Sequence, residues 1–253
     1  MLRMLLMVTF ALHGNAAAPG TVDAAGVATP EIATILLRAA PTLRPEALRA
    51  ALDAWNRVIA AGQEPRPILT VIDYSLPSTA RRLWVFDMME RRLMFHELVA
   101  HGRGSGEDFA LAFSNVEGSL MTSLGAFLTG ETYVGRNGYS MRLHGLEPGV
   151  NDLAEARYIV MHGAPYVTEE FARRVGRLGR SHGCPALRPE IARPLIDTIK
   201  DRSLLYAWHP EPEPAAAAAA TPRRTSRGLA CRGVRRTLRR RSAPSARSRG
   251  APW

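Results

Sequence analysis

Two residues between positions 157 and 188 have the chemistry of a reactive site. Cys184 stands in the turn Ser181-His182-Gly183-Cys184, and His162 closes the short apolar run Tyr158-Ile159-Val160-Met161-His162. A thiol attacks as its thiolate, and a free cysteine is mostly protonated at neutral pH, so a cysteine nucleophile needs a base at hand. Strand residues alternate faces. Tyr158, Val160 and His162 therefore share a side, and His162 points out of the strand end toward a loop. A loop that carries Cys184 back across that end completes a Cys–His pair. Taken singly, each residue has a plainer reading: a lone cysteine is commonly a small buried hydrophobe, and a strand-end histidine is commonly structural. Turn residues surround Cys184, with Pro185 following it, and turns lie at the surface. The two residues together favour catalysis. A zinc site built on His182 and Cys184 lacks further ligands, because the body holds one cysteine and scattered histidines. No metal and no cofactor is expected.

With His162-Gly163 upstream of the Ser-His-Gly-Cys turn, the chain resembles the L,D-transpeptidase (YkuD-type) catalytic domain, in the murein L,D-transpeptidase branch. Residues 124–135, with Tyr139-Ser140-Met141-Arg142-Leu143 and Gly145-Leu146-Glu147, carry the same likeness, which runs from about Pro67 to Trp208. His101 and His144 also precede glycine, so a His-Gly pair alone is a weak signal. The resemblance implies a β-rich sandwich that acts on peptidoglycan stem peptides. Cys184 would attack the carbonyl between an L- and a D-centre, release a terminal D-alanine, and pass the acyl group to an amine on a neighbouring stem. His162 would move the protons, the Gly163 carbonyl would orient its imidazole, and backbone N–H groups at Gly183 and Cys184 would hold the oxyanion. Ser181 and His182 would shape the turn. Two features depart from the family's common form: the interval between His162 and Cys184 is longer, and Ala186 stands where an arginine is usual. Arg188 is the first arginine after the cysteine. Covalent labelling of Cys184 by a carbapenem also follows from the likeness. A hydrolase on the same framework (carboxypeptidase or amidase) and a non-catalytic wall-binding protein are the rival readings.

The net charge of +10 points to nucleic acid only until it is divided. Residues 211–253 hold eleven arginines against two glutamates, so nearly all the excess lies in the tail and the body is close to neutral. No specific nucleic-acid binding is expected. The tail, with its run of six alanines and its arginine, serine and proline, has almost nothing to form a core and reads as disordered, either a basic arm for an anionic wall or membrane surface or an incidental extension. Residues 1–18 read as a secretion signal: Arg3, a nine-residue apolar stretch too short to span a bilayer, and an Ala16-Ala17-Ala18 cleavage site, with a later cut near residue 25 as the alternative. Export to the periplasm or cell envelope follows. It also favours the single body thiol as a reagent, because exported proteins that use cysteine for stability carry pairs. Composition does not speak to oligomeric state.

The remaining elements must position the site. Residues 19–65 read as an N-terminal helical segment. Thr29 and Pro30 open one helix, and a stripe of Leu48, Leu52, Trp55 and Ile59 marks a second that stops at Gly62. Residues 66–210 form the catalytic domain. Strands are expected at 68–74, 83–87 and 92–100, further short strands across 115–146 with a hairpin at Asn137-Gly138, and a last strand at 203–208. Helices are expected at 168–177 and 189–200, the latter kinked at Pro194. The glycine-rich run at 101–106 reads as a flexible loop at the mouth of the site. Tyr133, Tyr139 and Arg142 are candidates to line a peptide groove, and Arg188 to bind substrate or shape the site, with the residue that holds a substrate carboxylate left open. The fold class expected is β-rich α+β.

Overall fold

The computed structural model describes residues 27–210; the proposed signal and the arginine-rich tail lie outside them. Helix α1 (Pro30–Ala39) begins where the sequence places it, with the Thr29 hydroxyl accepting the Ile32 N–H and proline in the first turn. Helix α2 (Pro45–Ala60) follows a short turn. Next come strands β1 (Arg66–Asp73), β2 (Leu83–Asp87), β3 (Arg92–Glu97) and β4 (Val99–Ala100). The third expected strand is thus two, broken at Leu98. β5 (Gly125–Gly135) and β6 (Gly138–Gly145) make a long hairpin. Then come β7 (Val160–Gly163), α3 (Glu169–Val175), β8 (Ala186–Leu187), α4 (Pro189–Ile199) and β9 (Ser203–Trp208). Among the described residues, no helix is long and apolar enough to cross a membrane.

Among the described residues all nine strands belong to one sheet in the order β3-β2-β1-β9-β5-β6-β7-β8-β4. The β-rich α+β class holds, and the two walls of the expected sandwich are halves of a single sheet that curls over itself. Register shifts in the β1/β9, β2/β3 and β5/β6 pairings supply the curvature, since an extra residue on one strand bends it and sharpens the twist. Residues from β1, β2, β4, β6, β7 and α4 therefore meet in one interior: Ile72, Val85, Val99, Met141, Met161 and Leu195.

The first strands are buried on both sides. Ile68, Ile72, Leu83 and Val85 face that interior, while Leu69, Val71, Trp84 and Phe86 face α1 and α2. Alternation with apolar residues on both faces explains why β1 reads as a continuous apolar run. Its neighbour β9 runs parallel to it and is buried likewise. A small third cluster (Leu98, Ala100, Ala164, Val167, Leu178 and Ala186) lies under α3, beside β7 and β8.

Two sequence expectations change. Residues 101–124 contain no named strand. The 101–106 run is also not a loose loop: the Gly102 N–H donates to Thr122 Oγ1 at 2.9 Å, Gly104 N–H to the Leu120 carbonyl at 2.9 Å, and Gly102 bridges to Ser181. Its glycines serve close backbone packing. A Cβ at Gly102 would collide with the Leu120 carbonyl oxygen and lie 2.8 Å from the Gly183 Cα.

Behind this run sits a buried cation that the sequence did not single out. Arg82 donates to the Val99 carbonyl from Nε and Nη2, to the Leu76 carbonyl from Nη1, and to His101 Nδ1 at 2.7 Å, with its guanidinium over the Tyr74 ring. Because a guanidinium only donates, His101 Nδ1 accepts and Nε2 carries the proton toward the Gly106 carbonyl. Burial and then the Arg82 charge pull His101 down to about 4. His101 is therefore neutral in the fold, whereas in the unfolded chain it protonates below about 6.5. Its contribution to stability is complete above that pH and drains away as pH falls toward 4. Denaturant titrations at pH 7 and pH 4 should differ by roughly 3 kcal/mol from this residue. The His101→Gln variant, which can still accept from Arg82 and donate to Gly106, should show a flatter dependence.

Candidate active site

The turn carrying Cys184 is tied to itself and to the chain beneath it. Ser181 Oγ donates to the Cys184 carbonyl at 2.6 Å and accepts the Gly183 N–H at 3.1 Å. Ser181 N–H donates to the His101 carbonyl, Arg103 N–H to the Ser181 carbonyl, and Thr122 Oγ1 to the Gly183 carbonyl at 3.2 Å. Gly183 has φ +126°, and a Cβ there would lie 2.8 Å from both the Met121 carbonyl oxygen and Ile159 Cδ1. Only glycine takes that backbone without strain and leaves room for 119–122.

Cys184 precedes β8, which runs parallel to β7 with Ala186 beside His162. The Val160 N–H points at Cys184 Sγ at 3.5 Å, and Sγ lies 3.7 Å from the Tyr158 carbonyl. Cys184 thus stands beside Val160, two residues behind the Ala186–His162 pair, an offset of about 7 Å along the strands. Cys184 therefore lies beside the start of β7 and His162 toward its far end. They are more covered than the sequence implied: Cys184 is 8% exposed and His162 5%. Tyr158 departs from the expected strand. It has φ +55°, lies before β7, and turns its ring outward, 79% exposed, while its carbonyl turns to the thiol.

His162 Nδ1 lies 2.9 Å from the Gly163 carbonyl oxygen. A carbonyl only accepts, so Nδ1 carries the proton and Nε2 offers a lone pair. Burial holds the imidazole below its ordinary value, partly offset by this hydrogen bond, and keeps it neutral at pH 7. Burial pushes the Cys184 thiol up, countered by the Val160 N–H and then by the Arg157 charge. The resting sulfur is a thiol that ionises only as a proton acceptor takes its hydrogen. Two phenols also sense it. Burial, and then Cys184, raise Tyr166 to about 12; burial raises Tyr74 further.

The other candidate residues fare differently. His182 is exposed and Ser181 buried in the turn. Arg188 clasps the Glu97 carboxylate from Nε at 3.0 Å and Nη2 at 2.8 and 2.9 Å, beside Arg81 on the same carboxylate. Its fork is thus engaged within the protein, a site-shaping role rather than a free fork. Arg142 pairs with Glu131 at 2.6 Å and covers the Tyr133 ring, a self-contained patch on the β5/β6 hairpin. Tyr139 donates to Asp197 at 2.5 Å under the Arg193 guanidinium, and with Gly163, Pro165 and Pro189 it lines an open cleft of about 430 Å³. The Gly183 N–H, proposed for the oxyanion, is committed to Ser181 Oγ. Sequence reasoning missed Thr122, Tyr166 and Arg157, whose spacing from the turn carries no pattern. Among the described residues, no three His, Cys, Asp or Glu side chains gather as metal ligands.

A profile of the L,D-transpeptidase catalytic domain matches residues 39–208. The chain belongs to that family. Similar solved structures include an L,D-transpeptidase from Mycobacterium smegmatis, 16% identical over 56% of this chain and 58% of that one, with TM-score 0.34. Another is an L,D-transpeptidase from Mycobacterium tuberculosis H37Rv, 16% identical, covering 58% and 59%, with TM-score 0.34. A third is the helical cell shape determining protein Pgp2 from Campylobacter jejuni (K307A mutant), 15% identical, covering 58% and 49%, with TM-score 0.39. The match spans about half to three-fifths of the length of those chains. No curated protein matches.

The Gly183→Ala variant should lose roughly 1–3 kcal/mol through backbone strain, plus the clash with Met121. Denaturant titration reads the loss. Wild-type stability in this variant would contradict the packing described.

Proposed function

We propose that this chain is a cysteine-dependent acyltransferase of peptidoglycan, an L,D-transpeptidase acting on stem tetrapeptides at the cell envelope. The observation that carries the proposal is the imidazole held by its own strand: Nδ1 bound to the Gly163 carbonyl, Nε2 open, on the strand that also presents the Val160 N–H to Cys184 Sγ. Family membership supports the substrate class.

In this reading Cys184 Sγ attacks the carbonyl between the L- and D-centres, and its proton passes to His162 Nε2. The tetrahedral oxyanion rests on the Cys184 backbone N–H, since Gly183's is engaged. Collapse breaks the C–N bond, His162 returns the proton to the departing D-alanine amine, and a thioester remains. An acceptor amine then attacks the thioester, loses its proton through His162, and leaves a new amide and a free thiol. Each oxyanion donor is worth about 3 kcal/mol in such reactions. With Arg188 engaged by Glu97, a substrate carboxylate must find a different cation.

Purified protein incubated with disaccharide tetrapeptide should yield cross-linked dimers and free D-alanine by mass spectrometry, and a carbapenem should add its mass to Cys184. Trimmed monomers without dimers would instead make it a hydrolase on the same framework. Unchanged turnover by Cys184→Ala would end the proposal. His162→Ala should lower kcat at least 100-fold. The rate should also fall on the acid side with a midpoint below 6.5: His162 is depressed by burial, so it is a free base at neutral pH and is lost as it protonates.

A further inference from the structure

Arg157 lies in the turn before β7, one residue ahead of Tyr158, whose carbonyl lies 3.7 Å from Cys184 Sγ. Its guanidinium makes four hydrogen bonds, all to one segment: Nη1 to the Ser114 carbonyl at 2.7 Å and Ser123 Oγ at 2.5 Å, Nη2 to Ser119 Oγ at 3.1 Å and the Met121 carbonyl at 2.7 Å. Every one of those acceptors is neutral. A partly buried cation without a paired anion is costly, so its persistence needs a reason. The same Met121 carbonyl is the atom 2.8 Å from the place of a Gly183 Cβ. The guanidinium, the 114–123 segment and the cysteine turn therefore form one stack of direct contacts.

Three titratable groups beside this stack carry no charge at neutral pH. His162 on β7 is neutral, and Tyr74 after β1 and Tyr166 after β7 are phenols held above their ordinary range. The Arg157 guanidinium lowers the cost of a charge on Cys184, and a thiolate there favours the guanidinium in turn.

We propose that Arg157 is a positioning residue for Cys184: it ties segment 114–123 against the Ser181–Cys184 turn and holds near the thiol a positive charge that no carboxylate among the described residues neutralises. The anion it lacks at rest is the thiolate formed during reaction. This rests on Cys184 as the nucleophile, and it separates two tasks: His162 removes the proton, and Arg157 favours the charge left behind.

The test reads the thiol directly. In a Cys231→Ser background, only Cys184 can react with iodoacetamide, and its alkylation rate against pH gives the midpoint of its ionisation. Arg157→Gln should move that midpoint up by roughly one pH unit, slowing alkylation about tenfold at a fixed pH below it. Arg157→Lys, which keeps the charge and loses the fork, should stay within a few tenths of wild type. Hydrogen exchange across 114–123 should quicken in both, because the forked anchor is gone. An unmoved midpoint in a folded Arg157→Gln, or equal shifts in the two variants, overturns the proposal. Where Arg157→Gln does not fold, the lysine variant decides, and a rise of a full unit overturns it. Alkylation does not depend on turnover, so this failure is distinct from that of the acyltransferase reading, which unchanged turnover by Cys184→Ala would end.

Discussion

Between Gly102, Gly183 and the Met121 carbonyl there is no room for a side chain. Three separate stretches of chain meet there as bare backbone: the 101–106 run, the 119–122 segment and the cysteine turn. Close packing of this kind leaves few alternative arrangements, because interiors lose contact energy quickly with any gap and meet repulsion with any excess. That contact fixes the backbone of the turn that carries Cys184. The hydrogen bonds of Ser181, Thr122 and Ser105 lock the remaining freedom of the turn.

On that platform the site is arranged by withholding charge. His162 is kept neutral by burial and given one tautomer by its neighbour's carbonyl, and Cys184 is kept protonated by the same burial. A neutral pair costs far less to cover than an ion pair. In the proposed reaction the thiol ionises with the Val160 N–H and the Arg157 charge already in position. The buried Arg82–His101–Tyr74 group behind the turn follows the same rule. One cation is shared among carbonyls and a neutral ring, with the histidine held to the form that can accept.

The guanidiniums divide the site's surroundings by role. Arg188 and Arg81 converge on Glu97, an ion pair that fastens the start of α4 to the end of β3. Arg142 is spent on Glu131 and Tyr133. Where the family's common form places an arginine two residues after the cysteine, Ala186 packs into the small cluster with Leu98 and Val167. A charged group there would sit beneath α3 rather than at the mouth of the site. The Tyr139 cleft opens on the Gly163 side of the histidine.

Much of the framework was legible from local chemistry. The Thr29-Pro30 start of α1, the α2 stripe, the hairpin at 135–138 and the last strand at 203–208 follow from capping, periodicity and turn residues. The Cys184 turn and His162-Gly163 stood out in the sequence because reactive residue types occur there. Unreadable were the contacts between distant stretches: that Arg188 would be claimed by Glu97, that the glycine-rich run would be packed rather than loose, that Tyr158 would leave the strand at φ +55°. The strand failed at Tyr158 because its carbonyl turns to the thiol, and the loop tightened because 119–122 covers it. Residue type and spacing determined by themselves which groups are able to react. Which guanidiniums are spent, which carbonyl holds the imidazole and how deep the thiol lies were decided only by tertiary structure, because each depends on a partner far along the chain or on the curl of the sheet.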